Sequence, residues 1–340
     1  MIIIQWHMYP VCATRINSLE NFNYNVKVFS ERPKVPFKDF DNEIFPPLYI
    51  NSDDDPQNII KENPKNIQAL IITGWSHKKW LNYAKYLKKN GVIIIMMVDN
   101  NLRYSLKQIL GKFYFQFFIS KYSDYYLVPG NSSKKLLEFF GVKSSKIFTG
   151  YYGFTSNYFK KNKSKAREKN FVFVGQKIKR KGIDLLIKSY QNYLNKGGDW
   201  GLKIIGHGKY KIPINNKIEE LEFVQPKDLS KIFQENYAFV LPSRVEHWGT
   251  VVAEAAASGM ILALSNKVGS EMDILKTGLN GYSYNPYSMD EFTEVLLKIS
   301  NLDSNELNVM SEYSISISKT FSEDSFSNSI HTILKNEIIK

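Results

Sequence analysis

The stretch Leu241-Pro-Ser-Arg-Val-Glu-His-Trp-Gly-Thr-Val-Val-Ala-Glu-Ala-Ala-Ala-Ser-Gly259 decides the fold. It begins in a short apolar run that ends at Leu241, passes through a loop with a glycine, and enters a helical pattern at about Thr250. A strand, a loop and a helix in this order form the repeating unit of a parallel α/β sheet. Because unpaired N–H groups and the positive end of the helix dipole meet at this junction, it predicts an anion site suited to a diphosphate.

The same alternation of short apolar runs and amphipathic segments continues on both sides of this stretch. Strands are predicted over 171–174, 202–205, 221–224, 238–241, 261–265 and 281–284, and helices over 182–194, 229–235, 250–258, 289–299 and 306–319. Residues 171–324 are therefore predicted to form one doubly wound, Rossmann-like domain. A final helix is predicted over 325–340.

A second set of such alternations fills the first half of the chain. Strands are predicted over 2–5, 26–29, 69–73, 92–98, 125–128 and 147–149, and helices over 78–89, 102–122 and 132–140. Residues 1–150 are predicted to form another Rossmann-like domain, which the last helix would rejoin, and the polar stretch 151–170 is predicted to be a linker. The fold class is thus α/β, with two doubly wound parallel-sheet domains that face a central cleft.

The composition supports two domains and a polyanionic partner. The chain has 340 residues, of which 43% are hydrophobic, and a formal net charge of +12. Such a charge favours nucleic acid, an acidic membrane surface or a phosphorylated substrate. The single cysteine, Cys12, excludes an internal disulfide and fits the cytoplasm. The start of the chain predicts a first strand instead of a signal peptide, and no run reaches the length of a spanning helix, so membrane contact is expected to be peripheral.

Two glutamates in the quoted stretch carry a family resemblance. Glu246 and Glu254 are separated by seven residues, follow Pro-Ser and precede Ala-Ala-Ala-Ser-Gly. This spacing resembles the signature of the retaining glycosyltransferases of family 4, which have the GT-B fold. The blocks 173–182, 268–275 and 278–281 are similar to segments of that family in the same order. The resemblance covers residues 171–300 well and the first half only in outline.

The resemblance implies a site for a nucleoside diphosphate sugar in the second domain. It implies that Lys181 contacts the diphosphate, that Glu246 faces the transferred sugar or its leaving phosphate, and that Glu254 holds the ribose. Where the family has an arginine, this chain has Gln176, and Arg180 is the candidate that replaces its charge. The full donor set that it implies is Gly175, Gln176, Arg180, Lys181, Gly206, His207, Trp248, Gly249, Thr250, Val251 and Glu254.

Each of these assignments has a plainer alternative. The basic run 177–181 could be a solvated loop, and Glu254 could simply complement the helix dipole. Trp248 could be a hydrophobic plug instead of a sugar contact. The segment Gly206-His207-Gly208 could be an ordinary turn.

The first half offers fewer candidates. Its first loop, 6–15, lacks the paired glycines that the family uses, so a phosphate contact is not expected there. Asp99 follows a predicted strand and is the candidate that orients the acceptor or stabilises charge on the sugar; it could equally cap the next helix. Residues 74–77 could form an acceptor wall, whereas His7 and His77 could be incidental.

Two further segments bear on cofactors and membranes. Residues 102–118 mix basic and aromatic side chains at helical spacing, which fits either a helix on anionic lipid headgroups or a helix with one face packed on the sheet. Asp53-Asp54-Asp55 precedes a proline in a predicted loop. No metal and no other cofactor are expected.

The predicted reaction is the transfer of a hexose from a nucleotide sugar to a hydroxyl of a glycan or a lipid-linked glycan, in polysaccharide biosynthesis, with retention as the resemblance implies. One rival is a nucleotide-sugar epimerase on the same fold. Another is a non-catalytic glycan-binding or nucleotide-binding module. Nucleic acid is disfavoured, since the positive charge is spread over both halves and no recognition motif is present.

Overall fold

A computed structural model describes residues 1–6, 9–32, 44–161 and 166–338 of the chain. They divide into two compact units. The first consists of Met1–Gly153 together with Glu323–Lys340, and the second of Phe154–Ser322. His7, residues 162–165 of the predicted linker, and residues 339–340 of the predicted last helix lie outside the described residues.

The first unit is built on a parallel sheet, to which seven strands of the described residues contribute. They are β1 (Ile2–Trp6), β2 (Val26–Ser30), β3 (Pro47–Tyr49), β4 (Ala69–Thr73), β5 (Ile93–Met97), β6 (Tyr125–Val128) and β7 (Ile147–Thr149). Their order across the sheet is β3-β2-β1-β4-β5-β6-β7. The helices between them are α1 (Tyr9–Asn17), α2 (Pro56–Ile59), α3 (Lys78–Lys89), α4 (Leu106–Tyr114) and α5 (Asn131–Phe139).

The second unit repeats this plan with six parallel strands among its described residues. They are β8 (Glu168–Val174), β9 (Gly201–Ile205), β10 (Ile218–Leu221), β11 (Asn236–Leu241), β12 (Ile261–Ser265) and β13 (Gly281–Tyr284), in the order β10-β9-β8-β11-β12-β13. The helices are α6 (Ile183–Asn195), α7 (Pro226–Glu235), α8 (Thr250–Ala257), α9 (Glu271–Ile274), α10 (Met289–Ser300) and α11 (Ser304–Ser318). A last helix, α12 (Asp324–Ile338), belongs to the first unit.

Helix α12 closes one face of the first sheet. Side chains alternate across β1, so that Ile3 lies in one buried cluster and Ile2 and Ile4 lie in the other. The second cluster also contains four side chains of α12 at helical spacing, Phe326, Ile330, Ile333 and Leu334. The C-terminal helix therefore supplies part of the first unit's core.

Both sheets have the strand order of doubly wound nucleotide-binding folds. In each, the order reverses next to the first strand of the sheet, between β1 and β4 and between β8 and β11. Ligands of open α/β sheets bind outside the carboxyl ends of the strands at such a reversal. The predicted class of two doubly wound parallel sheets is confirmed. In the second sheet, the loops that follow β8 and β11 lie at the reversal and are the expected place for a ligand.

Several elements differ from the predicted ones. The short strand β3 and the helix α1 lie in segments without a clear apolar period, and neither was predicted. Strand β10 covers 218–221 and not 221–224, because the register pairs Ile218 with Leu202 at the sheet edge. Strand β8 begins at Glu168, inside the predicted linker.

The predicted helix 102–122 is divided into segments with different environments. Helix α4 contains no buried residue, and it continues into a π-helical turn over Phe115–Ile119 whose two ends are buried. The alternative that one face of this helix packs on the sheet therefore holds for the π-helical turn and fails for α4. In the described part of the chain, no helix combines the length and the apolar character that crossing a bilayer would require.

Candidate active site

Two loops meet where the strand order of the second sheet reverses. One follows β8 and covers 175–182, and the other follows β11 and covers 242–249. The Arg244 amide donates a hydrogen bond to the Arg180 carbonyl at 2.9 Å, and the Arg180 guanidinium donates to the Val245 carbonyl at 2.9 Å. These bonds fix the position of each loop relative to the other.

Glycines allow this close approach. Gly182 has a left-handed φ of +75°, and a Cβ atom there would lie 2.0 Å from the Pro242 carbonyl oxygen. Gly206, after β9, would place a Cβ atom 2.2 Å from the carbonyl oxygen of Gly175. Since real Cβ contacts are much longer, side chains at these positions would force the loops apart.

The two loops bring Lys181 and Glu246 into an ion pair. Both side chains are mostly buried, with relative exposures of 15% and 12%. The Ser243 hydroxyl lies 3.4 Å from the same carboxylate oxygen of Glu246. A lysine and a glutamate that are 65 residues apart in sequence thus share one site at the carboxyl ends of β8 and β11.

A second pair, between Arg244 and Asp184, supports the first. The guanidinium donates to the two carboxylate oxygens at 2.6 and 2.9 Å, and it also donates to the Lys179 carbonyl at 2.6 Å. Burial raises the pKa of Asp184, but the hydrogen bonds and charge of Arg244, with two backbone hydrogen bonds, lower it further, so that it lies below its ordinary value. The hydrogen bond to Asp184 likewise raises the pKa of Arg244. The sequence reasoning missed both residues.

The first turn of α8 begins four residues after Glu246. Gly249, with a left-handed φ of +87°, precedes the helix, and Thr250 and Val251 are its first residues. The amides of a first helical turn have no carbonyl partner within the helix, and the dipole adds positive potential there. This geometry can hold a diphosphate. Glu254 is the fifth residue of α8 and so lies one turn from its start.

A third loop, after β9, joins the first two. The Lys177 amide donates to the His207 carbonyl at 2.8 Å, and the side-chain nitrogens of Gln176 and His207 lie 3.4 Å apart. Strand β9 is the neighbour of β8 in the sheet. The structure therefore brings the predicted residues Gly175, Gln176, Gly206 and His207 together.

The side chain of Trp248 is buried, which disagrees with the prediction that it contacts the donor. Its side chain is only 1% exposed, and its ring lies against that of Phe321, with centroids 5.6 Å apart. A buried indole of this kind stabilises the base of the loop. The burial of this side chain favours the alternative of a hydrophobic plug.

The basic run 177–181 is not a uniformly solvated loop. Lys177 is 4% exposed and forms an ion pair with Glu220 on β10. Its ammonium group therefore does not point toward the predicted diphosphate site. Lys179 and Arg180 are exposed, whereas Lys181 faces Glu246. One lysine of the run is thus directed toward the predicted diphosphate site.

Asp99 lies in the first unit, in the loop after β5. It accepts a hydrogen bond from the Tyr152 hydroxyl at 3.0 Å. Burial, together with the nearby Tyr151 and Asp99, raises the pKa of Tyr152 well above its ordinary value, while Arg15 opposes the shift. The next helix is capped by Ser105, whose side chain accepts from the Gln108 amide. The capping alternative for Asp99 is therefore wrong.

The predicted acceptor wall follows β4 in the same unit. Trp75 packs edge-on against the buried ring of Phe115, with centroids 5.5 Å apart. His77 is the residue that precedes α3, and its side chain does not cap that helix. A role in acceptor binding remains a prediction for this segment.

The fold and the loops at the second sheet's reversal define the class of two-domain α/β proteins to which the GT-B glycosyltransferases belong. Residues 154–316 match the model of the family "Glycosyl transferases group 1". The matched segment lies within the second unit, Phe154–Ser322, so this unit is similar to the group 1 glycosyl transferases.

Curated relatives match over part of their length. An uncharacterised glycosyltransferase of Methanocaldococcus jannaschii is 33% identical over 134 residues, which are 36% of this chain and 34% of the relative. One of Haemophilus influenzae is 29% identical over 144 residues, which are 40% of this chain and 41% of the relative. The match thus spans about a third of the first relative and two fifths of the second.

Solved structures match over the whole chain at low identity. A glycosyltransferase of Rickettsia africae has a TM-score of 0.76 at 15% identity, with coverage of 100% of this chain and 98% of that one. HepE of Anabaena, solved in complex with UDP, has a TM-score of 0.72 at 13% identity, with coverage of 99% and 100%. At such identities the similarity shows the fold.

Proposed function

We propose that this protein is a retaining glycosyltransferase that transfers a hexose from a nucleoside diphosphate sugar to a hydroxyl of a glycan or a lipid-linked glycan, in polysaccharide biosynthesis. The observation that carries the proposal is the Lys181–Glu246 pair beside the first turn of α8, at the strand reversal of the second sheet. The complex of HepE with UDP-glucose supports a uridine nucleotide as the first donor to test.

In this proposal, the second unit holds the donor. The amides of Thr250 and Val251 and the ammonium group of Lys181 bind the diphosphate, and Glu254 holds the ribose hydroxyls. Glu246 orients the Lys181 ammonium and faces the transferred sugar. Two of these groups, Lys181 and Glu246, lie on the loops that hydrogen bonds and glycines hold in place, so little reorganisation is needed when the donor binds.

Catalysis would then depend on positioning and on electrostatic stabilisation. The bond between the anomeric carbon and the diphosphate oxygen breaks, and a bond from that carbon to the acceptor oxygen forms. The acceptor proton leaves with the departing diphosphate, so no side chain is required as a strong base. The helix N-terminus and Lys181 stabilise the negative charge that develops on the leaving group. In the first unit, Asp99 orients the acceptor.

The donor is identified by thermal-shift measurements and slow hydrolysis with UDP-, GDP-, ADP- and dTDP-sugars. We expect one nucleotide class to stabilise the protein and to be released as its diphosphate. A response to none of them would favour the non-catalytic binding module. Conversion of the donor into its epimer without any acceptor would favour the epimerase.

The roles of the pair are tested by Lys181→Ala and Glu246→Ala. Each variant should lower turnover by about a hundredfold or more, because the charge that stabilises the leaving group is lost or misplaced. The matched control is Lys203→Ala, which removes an ion pair with Glu219 on the outer strands of the same sheet. Near-normal turnover of either site variant would contradict the assignment.

Two finer parts of the proposal have their own measurements. Proton NMR of the newly formed linkage should show the anomeric configuration of the donor, and inversion would exclude the retaining mechanism. Transfer should continue in EDTA, since we propose that Lys181 and the helix N-terminus supply the positive charge on the diphosphate; loss of activity that Mg²⁺ restores would overturn this part. The proposal also includes peripheral contact with an anionic membrane at its cytoplasmic face, which the net charge of +12 supports.

A further inference from the structure

Helix α4 and the π-helical turn after it expose a continuous row of large apolar side chains. We call this row the apolar stripe; it consists of Leu106, Leu110, Phe113, Tyr114, Phe117 and Phe118. Their spacing of three or four residues places them on one side of the helix. Leu106 is 80% exposed, Leu110 72% and Phe117 68%. Large contiguous apolar surfaces of this kind mark interaction sites.

The stripe belongs to a firmly anchored segment. Phe115 and Ile119, four residues apart, are buried. The ring of Phe115 contacts those of Trp75, Tyr126 and Phe140, with centroid distances of 5.5, 5.8 and 5.1 Å. The segment is therefore packed on the sheet by these two residues, while the rest of its apolar surface points away from the core.

The charges around the stripe indicate what it contacts. Between Asp99 and Asp124 the sequence contains four basic residues, Arg103, Lys107, Lys112 and Lys121, and no acidic residue. The Lys112 ammonium lies 5.0 Å from the ring centroid of Phe139, and the Lys121 ammonium lies 6.0 Å from that of Phe118. Phe139 is half-buried, whereas Phe118 is exposed. Basic residues that flank exposed leucine and aromatic side chains are the pattern of helices that lie in the headgroup region of anionic bilayers.

A second copy of the chain fits this surface less well. A symmetric dimer through the stripe would bring the basic residues of both copies into one interface. In a chain with a net charge of +12, such an interface would concentrate like charges. An anionic lipid surface supplies both an apolar layer for the rings and negative charge for the lysines.

We propose that the apolar stripe inserts into the interfacial region of an anionic lipid bilayer and that the surrounding lysines bind its headgroups. The stripe is thirteen residues from Leu106 to Phe118 and lies along the surface, in agreement with the absence of a spanning helix from the described residues. The loop that leads from β5 into α4 carries Asp99. If Asp99 orients the acceptor, a step that rests on the proposed function, the bilayer would present a lipid-linked acceptor beside it.

Vesicle sedimentation tests this proposal without donor or acceptor, so that its outcome does not depend on transfer activity. We expect the protein to bind vesicles of phosphatidylcholine mixed with an equal amount of phosphatidylglycerol and to bind pure phosphatidylcholine much more weakly. Leu110→Ser with Phe117→Ser should lower the affinity for the mixed vesicles by roughly a hundredfold, because two large side chains no longer leave water. The matched control is Ile214→Ser with Val309→Ser, which removes exposed apolar groups of the second unit and should change nothing.

The headgroup contacts are tested with Lys107→Gln and Lys112→Gln. This double variant should bind the mixed vesicles at least roughly tenfold more weakly, whereas Lys188→Gln with Lys227→Gln, on α6 and α7, should bind normally. Equal binding of the stripe variant and the unchanged protein would overturn the proposal. A dimer in solution that the stripe variant loses, without binding to vesicles, would overturn it in favour of a second copy.

Discussion

The guanidinium of Arg244 forms hydrogen bonds with both carboxylate oxygens of Asp184, at 2.6 and 2.9 Å. Arg244 lies two residues before Glu246, and Asp184 lies three residues after Lys181. The pair therefore links the two segments that carry the candidate site residues. A planar, bidentate contact fixes distance and direction together, which a lysine cannot do.

The first prediction concerns this link. Arg244→Lys keeps the charge but loses the bidentate contact and the bond to the Lys179 carbonyl, so we expect the free energy of unfolding to fall by about 1 to 2 kcal/mol. Urea unfolding measures it. The matched control is Lys231→Gln, which breaks an exposed ion pair with Asp228 on α7 and should leave the stability almost unchanged. Lys181 and Glu246 should also be held less firmly in Arg244→Lys, so its KM for the donor should rise. Equal stability and equal KM in Arg244→Lys and the unchanged protein would contradict the proposed link.

The second prediction concerns pH. Because the fold lowers the pKa of Asp184 below its ordinary value of 3.8, the ionised carboxylate stabilises the native state above that pH. This contribution is lost as the pH falls through the lowered pKa. The difference in unfolding free energy between the unchanged protein and Asp184→Asn should therefore be constant between about pH 7 and pH 5 and should shrink below about pH 4. A difference in unfolding free energy that grows on acidification would show that the fold raises the pKa of Asp184 instead of lowering it.

The third prediction separates backbone strain from steric overlap at Gly182. Gly182→Ala would place a Cβ atom 2.0 Å from the Pro242 carbonyl oxygen, at a φ of +75°. Gly197 has a comparable φ of +88° and open space around it, so Gly197→Ala adds only the strain. We expect Gly197→Ala to cost about 1 kcal/mol and Gly182→Ala at least about twice as much, measured by urea unfolding. Equal costs would mean that the loops move apart without penalty.

Much of this fold is encoded in local patterns. The limits of β4, β6, β12 and α3 agree with those predicted, because buried parallel strands are continuous apolar runs and α3 has a clear helical period. Strand β3 has three residues at a sheet edge and so lacks such a pattern. Strand β10 was displaced by three residues, since its position is set by pairing with β9 and not by its own composition.

The candidate site was predictable where a residue belongs to a spaced motif. Lys181 and Glu246 were found from blocks of sequence, and the structure places them in one ion pair. Asp184 and Arg244 could not be assigned, because a carboxylate in a first helical turn and an arginine in a loop are common and their pairing arises only in three dimensions. For Trp248 the motif was misleading. Its position in the motif predicted a contact with the donor, but its side chain is buried.

The last prediction separates donor binding from acceptor binding by means of Asp99. Asp99 accepts a hydrogen bond from Tyr152 in the first unit, whereas the candidate donor residues lie in the second. Asp99→Asn keeps the size of the side chain and removes its charge. If Asp99 orients the acceptor, this variant should transfer sugar roughly a hundredfold more slowly while its thermal stabilisation by the donor stays unchanged. Tyr152→Phe is the control, because it removes only the hydrogen bond to the carboxylate and should have a smaller effect on transfer. Loss of donor stabilisation in Asp99→Asn would instead place this residue in donor binding, and normal transfer would leave Asp99 with a purely structural role beside Tyr152.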